Sequence, residues 1–432
     1  MTSDCSAFAT PQVDCGVVLG SDLARRVFAP SRSKTIVFLV FISCLAVYGA
    51  VRFADRLQGT DFPNFYCAAR MVLDGQGHQL YNAELQRHYQ ARYAGGVGTL
   101  YAHPPFEVTL YLMLAWLSIR HAYLLWFALN LVILSVATRR LAMEALAGWD
   151  WHALFATSLI FVPVLLCLIQ GQDSLLFLLL IVLSYTDLRS DRAFAAGCWL
   201  GLGLCKFQIA LPLMAVLVIT QRGKIRAGLA KGFGVIALLL AGVSAAISGW
   251  QVFVDYPRFL LSLQKEVSSG VSPQAMANFR GLVDIFLHGD QSLWALAATA
   301  ILSACALIRA TSVWKRPPFA MQHAIASSTQ QSFDFSSAQT VIFALLVSYY
   351  LNPHDLTLLL IPIALLLHRI LKRTSPWSRP SDRMTLALLI ILFVPLLPLW
   401  ALRSHFVSLL SVPMIGLFMV KPLSREENEG TI

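Results

Sequence analysis

Apolar residues run through this chain in long blocks broken by short polar passages. Apolar stretches occupy residues 35–51, 105–118, 121–138, 152–169, 174–188, 194–220, 232–249, 293–309, 338–351, 354–371, 384–402 and 404–420. Runs near 18 residues are what a helix needs to cross a hydrocarbon core of about 30 Å. The pattern predicts an all-α polytopic membrane protein, a bundle of about 11 transmembrane helices (about 10 to 13). Two runs depart from it. The stretch 105–118 is short for a span and reads as a segment that dips in and returns. The stretch 194–220 would be about 40 Å long as one helix, and Gly201, Gly203, Lys206 and Pro212 interrupt it. It reads as two short helices meeting at Lys206-Phe207-Gln208.

The longest polar passage, 52–104, follows the first span. Phe62, Phe65, Tyr66, Ala69, Val72 and Leu73 recur at helical spacing, which predicts an amphipathic helix over 62–73 lying on the membrane surface. Asp61 falls at its N-cap and Gly75 just past its end. A second short helix is expected near 82–93, pairing Leu85 with Tyr89 and Tyr93. The segment 250–290, with Trp250, Phe253, Tyr256, Phe259 and Leu260 and then Asn278-Phe279-Arg280-Gly281, reads as another interfacial element. Arg25, Arg26, Arg32 and Lys34 precede the first run and no small-residue cleavage site follows it, so it is expected to act as an uncleaved signal anchor. Residues 1–34 then form a cytoplasmic N-terminal tail, 35–420 the membrane domain and 421–432 a polar C-terminal tail.

Composition agrees. The chain is 57% hydrophobic and only 13% charged, against about 25% charged in soluble domains. Its net charge of +10 sits in clusters between apolar runs, which fits cytoplasmic loops touching anionic lipid and not nucleic acid. The clusters are Arg139-Arg140, Arg189/Arg192, Arg222-Lys224-Arg226-Lys231, Arg309/Lys315-Arg316 and Lys372-Arg373/Arg379/Arg383. All fall inside if 105–118 does not cross and if the 194–220 pair turns back at Lys206. Gly171-Gln172-Asp173, Lys206, the 250–290 segment and Asn352-Pro353-His354-Asp355 then face the same external side as the first loop. The eight cysteines are scattered without metal or redox spacing and read as small packing residues. No close acidic pair or His/Cys cluster implies a metal, no cofactor is implied, and a Gly-rich phosphate loop is missing.

The order Asp61-Phe62-x-x-Phe65-Tyr66, Ala68-Ala69, Gly75, Tyr81 and Tyr101-x-His103-Pro104-Pro105 resembles the GT-C glycosyltransferases. More narrowly it resembles family 87, which includes polyprenol-phosphate-mannose-dependent mannosyltransferases. The likeness continues at Gly171-Gln172, Gly197-x-x-x-Gly201-Leu-Gly203 with Lys206, Asn278-x-Arg280-Gly281 and His354-Asp355. His103 stands where an aromatic is common. The resemblance implies a GT-C-like catalytic domain with 52–104 as its external catalytic loop. It implies transfer of a hexose, mannose by analogy, from a polyprenyl-phosphate sugar to a lipid or glycan hydroxyl, on the outer face of the cytoplasmic membrane. The leaving lipid phosphate needs no acid, so one base suffices for an inverting displacement. Asp61 is the candidate base, or a helix cap. Lys206 and Arg280 are candidates for the donor phosphate, the alternatives being a snorkelling lysine and an Arg280–Asp284 pair. Asn278, Gln172 and His354 are candidates for donor sugar or phosphate, and Asp355 can cap the following helix. Tyr66, Tyr81, His103, Pro104 and Pro105 are expected to position the loop. The competing class is a transporter or flippase of lipid-linked sugars, but such proteins commonly carry internal repeats and ionisable residues at the midplane, and neither is evident here.

Overall fold

The computed structural model describes residues 51–54, 56–96, 98–263, 273–287, 293–314, 326–372 and 380–420, with a few isolated positions before 51. Most of the first apolar run, both tails and part of 250–290 lie outside the described residues. Among the described residues the fold is all-helical, without strands. The helices are α1 (Phe62–Leu73), α2 (Ala83–Ala94), α3 (Ile119–Ala145), α4 (Trp151–Leu159), α5 (Val162–Gln170) and α6 (Ser174–Arg189). They continue as α7 (Ala193–Leu202), α8 (Phe207–Thr220), α9 (Gly223–Ser248), α10 (Val252–Leu263), α11 (Phe279–Leu287) and α12 (Leu293–Trp314). Last come α13 (Ala326–Val347), α14 (Leu360–Leu371), α15 (Pro380–Phe393), α16 (Leu396–Arg403) and α17 (Ser411–Phe418).

By length and apolarity five helical stretches qualify as membrane spans, or seven if each bent pair is one span. The chain is therefore a membrane protein. The bends are 69° between α4 and α5 and 49° between α15 and α16. Pro163 opens α5, and Pro395 and Pro398 flank the start of α16, where a ring without N–H cannot continue the preceding helix. The run 105–118 forms two short 3-10 turns, Pro105–Leu110 and Leu114–Trp116, and no long helix. Only 11% of the α9 and α12 windows is buried, leaving Leu238, Leu239, Leu293 and Ile301 to face lipid.

Ala193–Thr220 qualifies as a single span of 28 residues, yet its neighbours divide it. Added Cβ atoms on Gly197 and Gly232 would strike the Leu229 and Phe194 carbonyls, and one on Gly201 would lie 2.8 Å from Ile236. These contacts rise together along both chains, so α7 and α9 run parallel. The chain must reverse between them. It does so at the 3-10 turn Gly203–Lys206, after which α8 returns. Lys206 thus sits at a hairpin tip, as the interruptions in the sequence suggest.

Ion pairs mark one end of the bundle. Arg140 meets Glu144 at 3.2 Å, Arg189 meets Asp334 at 3.1 Å and Arg192 meets Asp187 at 2.6 Å. The tips 171–173, 203–206 and 348–354 lie at the other end, about 24 Å away along the 16-residue α6. Residues 56–118 cover these tips as a cap with a core of Phe62, Phe65, Met71, Tyr101 and Tyr111, joined by Tyr123 of α3. This corrects the surface-helix expectation for 62–73. Nine of the twelve residues of α1 are buried, because its polar positions also bond to protein: Asn64 to Thr99, Tyr66 to the Leu117 carbonyl and Arg70 to the Ala115 carbonyl. An amphipathic pattern does not distinguish lipid from an aromatic core. The second helix, α2, forms as expected, capped by Asn82 and bringing the tilted rings of Tyr89 and Tyr93 to 5.8 Å.

Candidate active site

Asp61 opens α1 without capping it. Its backbone is already helical (φ −85°, ψ −15°), and its side chain makes no cap hydrogen bond. Pro63 has no N–H to offer, and the Asn64 N–H donates instead to the Asp61 carbonyl at 3.0 Å. The expected capping role is thus overturned, and the carboxylate is turned to another use. Gln172 Nε2 donates to Asp61 Oδ2 at 2.7 Å, while Thr99 Oγ1 makes a long 3.3 Å contact with Oδ1. The Asp61 N–H donates to Gln170 Oε1 at 3.0 Å. The turn between α5 and α6 therefore grips both main chain and side chain of Asp61. Gly171 makes this possible: at φ +67° it takes a left-handed conformation, and a Cβ there would lie 2.7 Å from Phe62. Trp126 Nε1 donates to the Gly171 carbonyl at 2.9 Å and pins the turn from α3.

Lys206 neither snorkels to a membrane boundary nor stands free. It is 2% exposed, with Nζ 3.0 Å from Asp173 Oδ1 and 2.9 Å from Asp355 Oδ1. Asp355 also accepts from Ser174 Oγ at 2.9 Å and from the Asn352 N–H at 3.0 Å. The second bond is the capping contact expected of Asp355. His354 is 5% exposed, and its Nε2 is 3.7 Å from Asp355 Oδ1 without a hydrogen-bond partner. Gln172 Oε1 is likewise buried without a partner. Such orphaned atoms at a site edge are where ligand hydroxyls can bond.

Asn278 and Arg280 divide in role. Asn278 is fully buried, donates to the Ser348 carbonyl at 2.7 Å and accepts from the Gly281 N–H at 2.8 Å. Both ends of its amide bond to protein, so it shapes the 278–281 turn and does not face a sugar. Arg280 is partly exposed and does not take the expected Asp284 geometry. Its guanidinium lies 4.2 Å over the Tyr349 ring and contacts the Tyr349 carbonyl at 3.4 Å. Stacked on an aromatic, the guanidinium has N–H donors beyond the one that meets that carbonyl.

The exit of the cap holds a pair that sequence reading missed. His103 Nδ1 lies 2.9 Å from Glu107 Oε1, with the Glu107 side chain fully buried and the imidazole 26% exposed. Burial pushes the Glu107 carboxyl up to about 7, against the pull of His103. Burial lowers His103, but the Glu107 carboxylate outweighs it, and the imidazole titrates above its usual value. The signal was an acid four residues after a histidine inside an otherwise apolar run. Asp173 was missed as a counter-ion because its partner comes from another hairpin. Tyr81 donates to the His103 carbonyl at 2.7 Å and packs its ring, tilted, against Tyr256 at 5.0 Å, joining cap to α10. Tyr101 donates to the Pro104 carbonyl at 2.8 Å, and Pro104 and Pro105 carry the chain out of the cap into the first 3-10 turn.

The sequence-predicted residues thus gather at one end of the bundle. Asp61, Gln172, Lys206, His354 and Asp355 form one connected polar cluster, with Arg280 on the neighbouring 278–281 turn and His103 on the cap. Among protein families, the model of glycosyltransferase family 87 matches residues 101–337. No curated protein and no solved structure matches the chain.

Proposed function

Because the chain belongs to glycosyltransferase family 87 and is therefore a membrane glycosyltransferase, we propose that Asp61 is the general base of a sugar transfer from a polyprenyl-phosphate donor. The sugar in this reading is a hexose, mannose first. The acceptor is a lipid or glycan hydroxyl, and the reaction faces the outer side of the cytoplasmic membrane. The observation that carries the reading is the setting of Asp61: Oδ2 held at 2.7 Å by Gln172, and Oδ1 left with only a 3.3 Å contact. Oδ1 takes the acceptor's proton as the acceptor oxygen bonds to the anomeric carbon. The bond from that carbon to the phosphate oxygen breaks, and its electron pair leaves with the polyprenyl phosphate. One displacement inverts the anomeric centre. Arg280 meets the donor phosphate, and Gln172 Oε1 and His354 Nε2 meet sugar or acceptor hydroxyls. The reading invokes no metal or cofactor.

The test is transfer of labelled mannose from polyprenyl-phosphate-mannose in membranes containing wild type or Asp61→Asn. The variant is expected to lose about 10²- to 10⁴-fold in kcat, the usual worth of a general base, with donor KM little changed. Equal transfer by the variant would remove Asp61 from the base role. Arg280→Met is expected to raise donor KM by at least about 10-fold, the worth of one charge-assisted contact.

A further inference from the structure

We propose that Lys206 is a positioning residue that ties three helix-hairpin tips together and thereby sets the catalytic carboxylate, and that it is not a ligand of the donor phosphate. The inference rests on Asp61 being the base.

Three hairpins contribute one tip each: Gly171-Gln172-Asp173 between α5 and α6, Gly203–Lys206 between α7 and α8, and the segment from Ser348 to Asp355 after α13. The Lys206 ammonium touches a carboxylate from each of the other two tips, at 3.0 and 2.9 Å. Ser174 closes the triangle by donating to Asp355 at 2.9 Å. The Asp173 carboxylate is held by the Lys206 ammonium and by the Cys205 thiol, both from the 203–206 tip. Gln172 precedes Asp173 and carries the 2.7 Å bond to Asp61. Fixing Asp173 therefore fixes the residue that aims the base.

Charge argues against the alternative. One ammonium between two carboxylates leaves a net charge of −1. A phosphate oxygen as close to either carboxylate as to the ammonium would be repelled about as strongly as it is attracted, offsetting what the ammonium offers. Lys206 and both partners are at most 2% exposed, so no open approach to the ammonium exists.

Asp173→Asn and Asp355→Asn, made separately in the full chain, test this, because each loosens the clamp while keeping Lys206. Both are expected to lower kcat by about 10- to 100-fold, the cost of a misplaced reacting group, with donor KM changed less than about twofold. Lys206→Met should show the same split where it folds. A second readout needs no substrate. Amide hydrogen exchange in peptides covering 61–66 and 170–174 should accelerate in both Asn variants, while peptides around Arg189 stay as in wild type. Unchanged exchange, or Asn variants with full kcat and tighter donor binding from a freed ammonium, would overturn the proposal. So would a Lys206→Met enzyme with raised KM and intact kcat. If Asp61→Asn is inactive while the clamp variants are fully active, the clamp alone fails. If Asp61→Asn is active, the base reading fails first.

Discussion

Gln172 commits its N–H to Asp61 and leaves its carbonyl oxygen without a partner, so one side chain holds the proposed base and keeps an acceptor in reserve. Gln172→Ala is expected to lower kcat about 10-fold through lost orientation, with a melting temperature close to wild type, as measured by transfer assay and thermal denaturation in detergent. The His103–Glu107 pair makes a pH-dependent prediction. The folded Glu107 pKa, about 7, is raised above its ordinary 4.5. Its stabilising contribution is therefore complete below about 4.5 and lost as pH rises through 7. Glu107→Gln keeps a neutral hydrogen-bonding group, so the melting temperature of the variant relative to wild type should climb between pH 5 and 8. A flat difference would contradict the assignment. At this scale Asp61 and Gln172 were legible as candidates because they stand in polar passages between apolar runs. Glu107 was hidden inside an apolar run. The double embrace of Lys206 was not legible either, since periodicity says nothing about which tips meet.

Helix contacts carry a different lesson. Gly197, Gly201 and Gly203 belong to the family-like pattern, yet each lies against a neighbour: the Leu229 carbonyl, Ile236 and the Phe177 ring respectively. Small residues let helix backbones approach closely in a membrane, and this approach places Gly203–Lys206 at its depth. Gly197→Val or Gly232→Val should cost about 1–3 kcal/mol or more through overpacking. Gly234→Val, with nothing within 4 Å of its Cβ position, should leave the melting temperature unchanged. The break in 194–220 was legible because glycines, a lysine and a proline interrupt an apolar run too long for one crossing. The burial of α1 was not, because its pattern suits a lipid surface and the aromatic core of the cap equally well.

Among the described residues, the ion pairs of Arg140, Arg189 and Arg192 gather at one end and the Lys206-centred cluster at the other, separated by the length of α6. Breaking the distant end should therefore disturb stability and not chemistry. Arg189→Met removes the contact to Asp334 at 3.1 Å and should lower the melting temperature while donor KM and kcat per folded molecule hold, as measured on purified protein. The gathering of tips at one end was anticipated from the placement of basic clusters.

The clamp also has a history, because its three tips are synthesised in order. Asp61 and Asp173 leave the ribosome first, Lys206 follows, and Asp355 comes about 150 residues after Lys206. Until the last of these hairpins inserts, Lys206 has one partner and Ser174 lacks its acceptor. A chain that ends before Asp355 would thus lack one of the two carboxylates that hold Lys206, and with it the tie between the second and third tips.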